Sequence, residues 1–164
     1  MNRRQFLCTS ALATPSAALL KFADVKDRPP VEGVMQIRIA RPTDKLQEVV
    51  AFYRDGLGLS VIGHFENHAG YTGVMLGMPD ERFHLEFTHA DSGSPSPAPT
   101  KDNLLVLYMP DLQSHKDALH RLNASGHKPV EPENPYWKLH GETFEDPDGW
   151  RVVLYHGNAF APKA

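Results

Sequence analysis

The chain has 164 residues, 41% of them hydrophobic and 23% charged, which suits one domain with a sizeable core. Its 17 basic residues face 20 acidic ones, a net charge of −3 with histidine neutral, and no basic stripe runs along it. Phosphate backbones need clustered Lys and Arg, so nucleic acid is set aside as a partner; no apolar run reaches the length of a bilayer span.

Residues 1–23, MNRRQFLCTSALATPSAALLKFA, pair Arg3 and Arg4 ahead of an apolar stretch from Phe6 to Leu20 that Pro15 interrupts. No acid occurs before Asp24. A basic start, a short apolar run and small residues are the pattern of a secretory signal. Asn2 to Leu7 resembles the twin-arginine export motif, with Asn2 where Ser or Thr is usual and Cys8 where Lys is common. The expectation is an exported, periplasmic protein with no membrane anchor after processing; without a working signal it is cytoplasmic. Cleavage after Ala23 would remove Arg3, Arg4 and Lys21, leaving 14 basic residues against 20 acidic, a net of −6. The only cysteine, Cys8, goes too. The processed chain then has no thiol for a disulfide, a zinc–thiolate site or a cysteine nucleophile.

Residues 24–32, with Pro29 and Pro30, read as a linker, and residues 33–158 as the folded domain. Val34 to Ala40 alternates apolar and polar residues, the period of a strand, and Pro42 ends it. Thr43 or Asp44 can cap the helix that follows. Its apolar face is Leu46, Val49, Val50 and Tyr53, and Gly56 and Gly58 stop it. Strands follow at Leu59 to Phe65, Tyr71 to Leu76 and Phe83 to His89. The Ser- and Pro-rich residues 90–100 form a connector.

The order then repeats. Asn103 to Tyr108 reads as a strand, and Asp111 caps a helix whose face is Leu112, His115, Leu119 and Leu122, ended by Gly126. Proline-rich 128–135 holds only a short edge strand. Gly141 to Glu145 and Trp150 to His156 are strands joined by the Asp146-Pro147-Asp148-Gly149 turn. The modules run from about 34 to 89 and from 103 to 156, with 159–164 as a tail. The last strands align: HLEFTH (84–89) lies on RVVLYH (151–156), and Glu86 meets Val153. No nucleophile elbow, P-loop, dinucleotide fingerprint or HExxH helix occurs.

FYRDGLGL (52–59), HLEFTH and FEDPDGWRVVL (144–154), in a duplicated order, resemble the glyoxalase, bleomycin-resistance and extradiol-dioxygenase group, the vicinal oxygen chelate superfamily. The likeness spans Val34 to His156. It implies an α+β fold of two βαβββ modules whose curved mixed sheets form an open cleft, and a homodimer. Metalloenzymes of the family place ligands on the first and last strands of each module. Carried over, Glu86 matches, Val153 has no lone pair to give, Asn103 stands nearest the first-strand ligand of module two, and Arg38 that of module one. Arginine only donates hydrogen bonds, so it cannot hold a metal. One ligand of four survives.

The resemblance therefore implies a protein that binds a small organic molecule in its cleft without the usual metal. A carboxylate on the apolar strand of Glu86 is costly unless paired, and Arg38 is its expected partner across the cleft. Glu86 is also the candidate catalytic base. His84 shares its face, and Glu86 with His84 is the fallback metal fragment. Tyr136 and Trp137 offer flat surface over a ligand, or loop packing. Asn103 and Arg151 complete the ligand-binding set, Arg151 toward an anionic group. No cofactor is predicted, although a divalent metal ion stays open. The alternative function is a divalent-metal-dependent lyase, isomerase or dioxygenase with rearranged ligands; a metal-free proton-transfer enzyme lies between the two.

Overall fold

Strand, helix and strands alternate in two matching rounds. The first holds β1 (Ile37–Pro42), α1 (Leu46–Ala51), β2 (Ser60–His68), β3 (Tyr71–Gly77) and β4 (Phe83–Ala90). The second holds β5 (Leu104–Met109), α2 (Leu112–Ala124), β6 (Gly141–Glu145) and β7 (Arg151–His156). The structure, a computed structural model, describes residues 33, 36–78, 82–139 and 141–159. The expected export segment and linker, residues 34 and 35 of the expected first strand, His140 and residues 160–164 of the expected tail lie outside the described residues.

The two sheets have the same plan. In the first the order is β1-β4-β3-β2, with β1 parallel to β4 and the other pairs antiparallel. In the second it is β5-β7-β6, with β5 parallel to β7 and β6 antiparallel to β7. The expected short edge strand is one bridge, Val130 to Thr143. Proline at 129, 132 and 135 removes the backbone donors a longer strand would need.

Both helices lie against one face of their sheets and share a single core. Val49, Val50, Phe52 and Tyr53 meet Leu76, Leu85 and Phe87 of the first sheet, while Ala118 and Leu122 meet Phe144, Val152 and Leu154 of the second. Burying each Leu or Phe contributes about 1.5–3 kcal/mol, so this shared core carries much of the folding drive. Gly56 sits where the helical segments touch; a Cβ there would lie 2.6 Å from Leu122 Cδ2.

Local details depart from the sequence reading. α1 ends in a π-helical turn, Phe52–Gly56. Neither Thr43 nor Asp44 caps it in the usual way. Thr43 Oγ1 accepts the Lys45 N–H at 2.9 Å, and Asp44 accepts from the Ser94 amide of the connector. Asp111 does cap α2, accepting from the Ser114 amide at 2.7 Å. Leu112, expected on the buried face of α2, is 48% exposed, and Ala118 is buried in its place. The buried face begins one turn later, at His115, whose Nε2 lies 3.2 Å from Leu154 O of β7.

The Asp-Pro-Asp-Gly turn holds the modules together. Asp146 Oδ1 accepts the amides of Asp148 and Trp150, both at 2.9 Å, which closes the turn. Asp146 Oδ2 accepts from Arg41 of β1 at 2.5 Å and from the Tyr53 hydroxyl at 3.1 Å. The Arg41 guanidinium lies between the Phe87 and Trp150 rings, 5.0 Å from each centroid. Trp150 Nε1 donates to Ser96 O at 2.8 Å, which ties down the connector. Arg41 and Asp146 are both buried. Removing one partner of a buried pair strands the other charge, at about 3–5 kcal/mol. Asp146→Ala should therefore lower the unfolding free energy by about that amount in urea melts. Arg41→Met combined with Asp146→Leu should recover only the part of the loss due to the unpaired charge, since the turn amides and the Tyr53 hydroxyl stay without their acceptor.

Candidate functional site

Each sheet has one face on the core and one open face turned away from the helices. Strand alternation assigns the open face. Leu85 and Phe87 pack on the core, so His84, Glu86 and Thr88 point the other way. Parallel register sets Arg38 beside His84 and Ala40 beside Glu86. Phe65 and Met75 share this face, and Phe65 folds across Gly73, where a Cβ would lie 2.5 Å from the ring.

Arg38, His84 and Glu86 form one polar unit there. Arg38 Nε donates to His84 Nε2 at 2.9 Å, and its second arm reaches Glu86 Oε2 at 2.6 Å. His84 Nε2 thus presents its lone pair, which puts the proton of a neutral ring on Nδ1. The contact to Glu86 is an ion pair off the axis of a hydrogen bond, so Oε2 keeps acceptor capacity. His84 and Glu86 are largely covered, while the Arg38 side chain stays 53% exposed.

The open face of the second sheet is built differently. The β5–β7 register puts Leu104 beside Arg151, Val106 beside Val153 and Tyr108 beside Tyr155. Topology therefore makes Leu104 the counterpart of Arg38 and Val153 the counterpart of Glu86. Asn103, read as the first-strand counterpart, falls one residue earlier, and alternation turns it to the other side. Val153 is fully buried. Over this face runs the loop to the 3-10 turn Pro135–Lys138, with Asn134 Oδ1 accepting the Tyr136 amide at 3.0 Å. Asp102, Leu104, Val106, Glu133, Asn134 and Trp137 line an open cleft of about 760 Å³. Its aromatic wall is Trp137; Tyr136 adjoins it at 4.9 Å, edge to face, and Tyr155 lies 6.4 Å from Tyr136 and 6.2 Å from Trp137. Tyr108 stands 5.4 Å from Tyr155.

Arg151 anchors this loop. Its Nε and one terminal nitrogen donate to Glu145 Oε1 at 3.1 and 3.0 Å, and the other donates to Glu131 O at 3.3 Å. It is 4% exposed, and Glu145 and Glu133 flank its charge. Asn103 and Arg151 also line a separate cavity at the seam between the modules, with Arg41, Tyr53 and Trp150. Within one chain the predicted residues thus fall into three groups: Arg38, His84 and Glu86; Tyr136 and Trp137; Asn103 and Arg151. The sequence reading passed over Arg41, Tyr108 and Tyr155. Alternation along β5 and β7 is the signal that would have put both tyrosines on the open face.

A metal does not fit the four inherited positions. They hold Arg38, Glu86, Leu104 and Val153: a cation, a carboxylate already engaged, and two hydrocarbons. Hard and borderline cations need several lone-pair donors converging. Among the described residues, no group of three or more His, Cys, Asp or Glu is arranged to hold a metal ion.

The paired βαβββ modules and their open faces define a protein of the glyoxalase and bleomycin-resistance class, the vicinal oxygen chelate superfamily. Residues 37–88 match the model of the YycE-like N-terminal domain and residues 102–156 that of the YycE-like C-terminal domain. The chain belongs to the YycE-like family. The uncharacterized protein YycE of Bacillus subtilis (strain 168) is 48% identical over 128 residues, covering 78% of this chain and 92% of the relative. A crystal structure of a Bacillus subtilis YycE protein of unknown function matches with a TM-score of 0.74 at 47% identity, over 79% of this chain and 95% of that one. Fold alone is shared with the trypanothione-dependent Leishmania major glyoxalase I, at 17% identity and a TM-score of 0.57, over 73% of this chain and 84% of that one. The same holds for TnmS3, an antibiotic binding protein from Streptomyces sp. CB03234, at 17% identity and a TM-score of 0.54, over 80% and 100% of the two chains.

The cluster of Arg41, Asp146 and Tyr53 also sets a pH limit. Burial, then the charge of Asp146, pushes the Tyr53 phenol well above its ordinary value of 10.0. The folded state holds this proton where the unfolded chain releases it, so stability is intact below about pH 10 and falls as pH rises beyond it. Urea melts at increasing alkaline pH should show this loss, and Tyr53→Phe should flatten it.

Proposed function

We propose that the protein binds a small, flat, oxygen-bearing organic molecule on its open faces, with no metal between protein and ligand. The observation that carries this reading is Arg38, fixed in direction by His84 and Glu86 while more than half of its side chain remains exposed. One of its five N–H donors is spent on His84 and a terminal nitrogen is held against Glu86, and the rest of the fork suits oxygen acceptors. Glu86 and Arg38 neutralise each other, so a neutral acceptor or a delocalised anion fits better than a strongly charged group. Tyr108, Tyr136, Trp137 and Tyr155 supply flat surface for the rest of the molecule.

The working unit of this proposal is a homodimer, in which the open face of module one meets that of module two of the second copy. Its support is the exposed apolar surface on these faces: Ile62 is 37% exposed, Tyr108 42% and Tyr136 53%. The ligand would then lie between Arg38 of one copy and the tyrosines of the other. We further propose export by the twin-arginine route, supported by Arg3, Arg4 and the apolar run behind them. Among the described residues no helix is long and apolar enough to cross a membrane.

A thermal-shift screen of flat aromatic compounds bearing carbonyl or hydroxyl oxygens tests the binding reading. Hits should weaken on Arg38→Ala by one to two orders of magnitude, the loss of a charge-assisted hydrogen bond of about 1.5–3 kcal/mol. Tyr136→Ala should weaken the same hits, and neither change should depend on added chelator. Hits indifferent to both substitutions would contradict the proposal. For export, replacing Arg3 and Arg4 together by Lys should retain the protein in the cytoplasm of a bacterial host with a working twin-arginine system; undiminished export of that variant would contradict the assignment.

A further inference from the structure

The cavity at the seam of the modules lies on the core side of both sheets and shares Leu104 with the open cleft of module two. It has a volume of about 240 Å³ and lies between β1 and β4 of the first module and the start of β5 and β7 of the second. Its walls are mostly hydrocarbon and aromatic: Ile39, Leu85, Phe87 and Leu105, with the rings of Tyr53 and Trp150. An apolar cavity of about 150 Å³ accepts benzene, so this one has room for a benzene ring with a short substituent.

The polar groups on its wall define the rest. Both cations are already neutralised, Arg41 by Asp146 at 2.5 Å and Arg151 by Glu145 at 3.0 Å. The Tyr53 hydroxyl donates to Asp146, and Trp150 Nε1 donates to Ser96 O. Asn103, at the exposed mouth, accepts from Thr100 Oγ1 at 2.7 Å through its carbonyl oxygen, which leaves its amide N–H groups to donate. Arg41 Nε is buried without an acceptor. The wall therefore has donors to spare and no charge to spare. A charged ligand would lose its hydration with no counter-ion to meet it. We infer that the seam cavity is a second binding site, for a small uncharged aromatic molecule carrying one acceptor oxygen.

The site has an entrance, because Ile39 and Ala40 of β1 are exposed while Ile39 also lines the cavity. Alternation turns Ile39 to the cavity and Ala40 to the open face beside Glu86, so the cavity can be filled from position 39 without touching the core. The inference does not rest on the open-face reading, and the experiment separates the two.

Fluorine NMR of 4-fluoroacetophenone titrated with the full chain tests it, with 4-fluorotoluene and 4-fluorobenzoate as probes lacking the acceptor and carrying a charge. The ketone should bind, and the toluene and the benzoate should each bind at least several-fold more weakly. Ile39→Trp and Ile39→Phe, confirmed as folded by circular dichroism, should each weaken the ketone at least tenfold. Asn103→Ala should weaken it a few-fold. Glu86→Gln and Tyr136→Ala should leave it unchanged. The inference is overturned if the ketone does not bind at millimolar concentration, if both filled variants bind it as wild type does, if Glu86→Gln or Tyr136→Ala abolishes binding, or if the benzoate binds as tightly as the ketone.

Discussion

One buried ion pair, Arg41 to Asp146, fixes how the halves of this protein meet. Asp146 shapes its own turn through backbone amides and reaches across the seam to Arg41 and Tyr53. Two aromatic rings enclose the guanidinium, and one of them, Trp150, holds the connector. Three pieces therefore converge on one carboxylate, the first strand, the first helical segment and the last hairpin, and the connector joins them through Trp150. A buried pair of this kind does little for stability over a hydrophobic substitute. What it adds here is geometry, because a carboxylate with these partners has few alternative arrangements. The seam cavity is a direct result, since its wall includes Arg41, Tyr53 and Trp150.

Around that seam the duplicated modules have diverged on their open faces. In one, Arg38, His84 and Glu86 make a connected polar unit; in the other, the same places hold Leu104, Arg151 and Val153. The loss of lone pairs at Leu104 and Val153 does not leave Glu86 unpaired. A guanidinium takes up its charge, with a histidine fixing the orientation of that guanidinium. The second module contributes shape in place of charge: a hydrocarbon floor and an aromatic wall, with Arg151 turned inward to hold the loop that carries Tyr136 and Trp137.

Much of this was legible in the sequence because it rests on local periodicity. The strands alternate, the helical faces recur at three and four residues, and HLEFTH aligned on RVVLYH paired Glu86 with Val153 correctly. The Arg38–Glu86 contact was also expected, since a carboxylate on an apolar strand needs a cation and β1 offers one. The counterpart of Arg38 was placed at Asn103 because strand starts shift by one residue without changing composition, and only the β5–β7 pairing resolves that. Arg41 drew no attention because nothing local marks it; its partner lies 105 residues away. The division of the expected ligand-binding residues into three groups had the same cause. Periodicity tells which face of a sheet a residue occupies, but the way two sheets pack decides whether those faces meet.

In the proposed function, Arg38 supplies the positive charge of the cleft in place of a metal ion. Elemental analysis of the protein purified from its own host without chelator, with Glu86→Gln prepared alongside, tests it most directly. Neither preparation should contain stoichiometric Zn, Ni, Mn, Fe or Co. Near-stoichiometric metal in the native protein that disappears in Glu86→Gln would contradict it and make Glu86 a ligand.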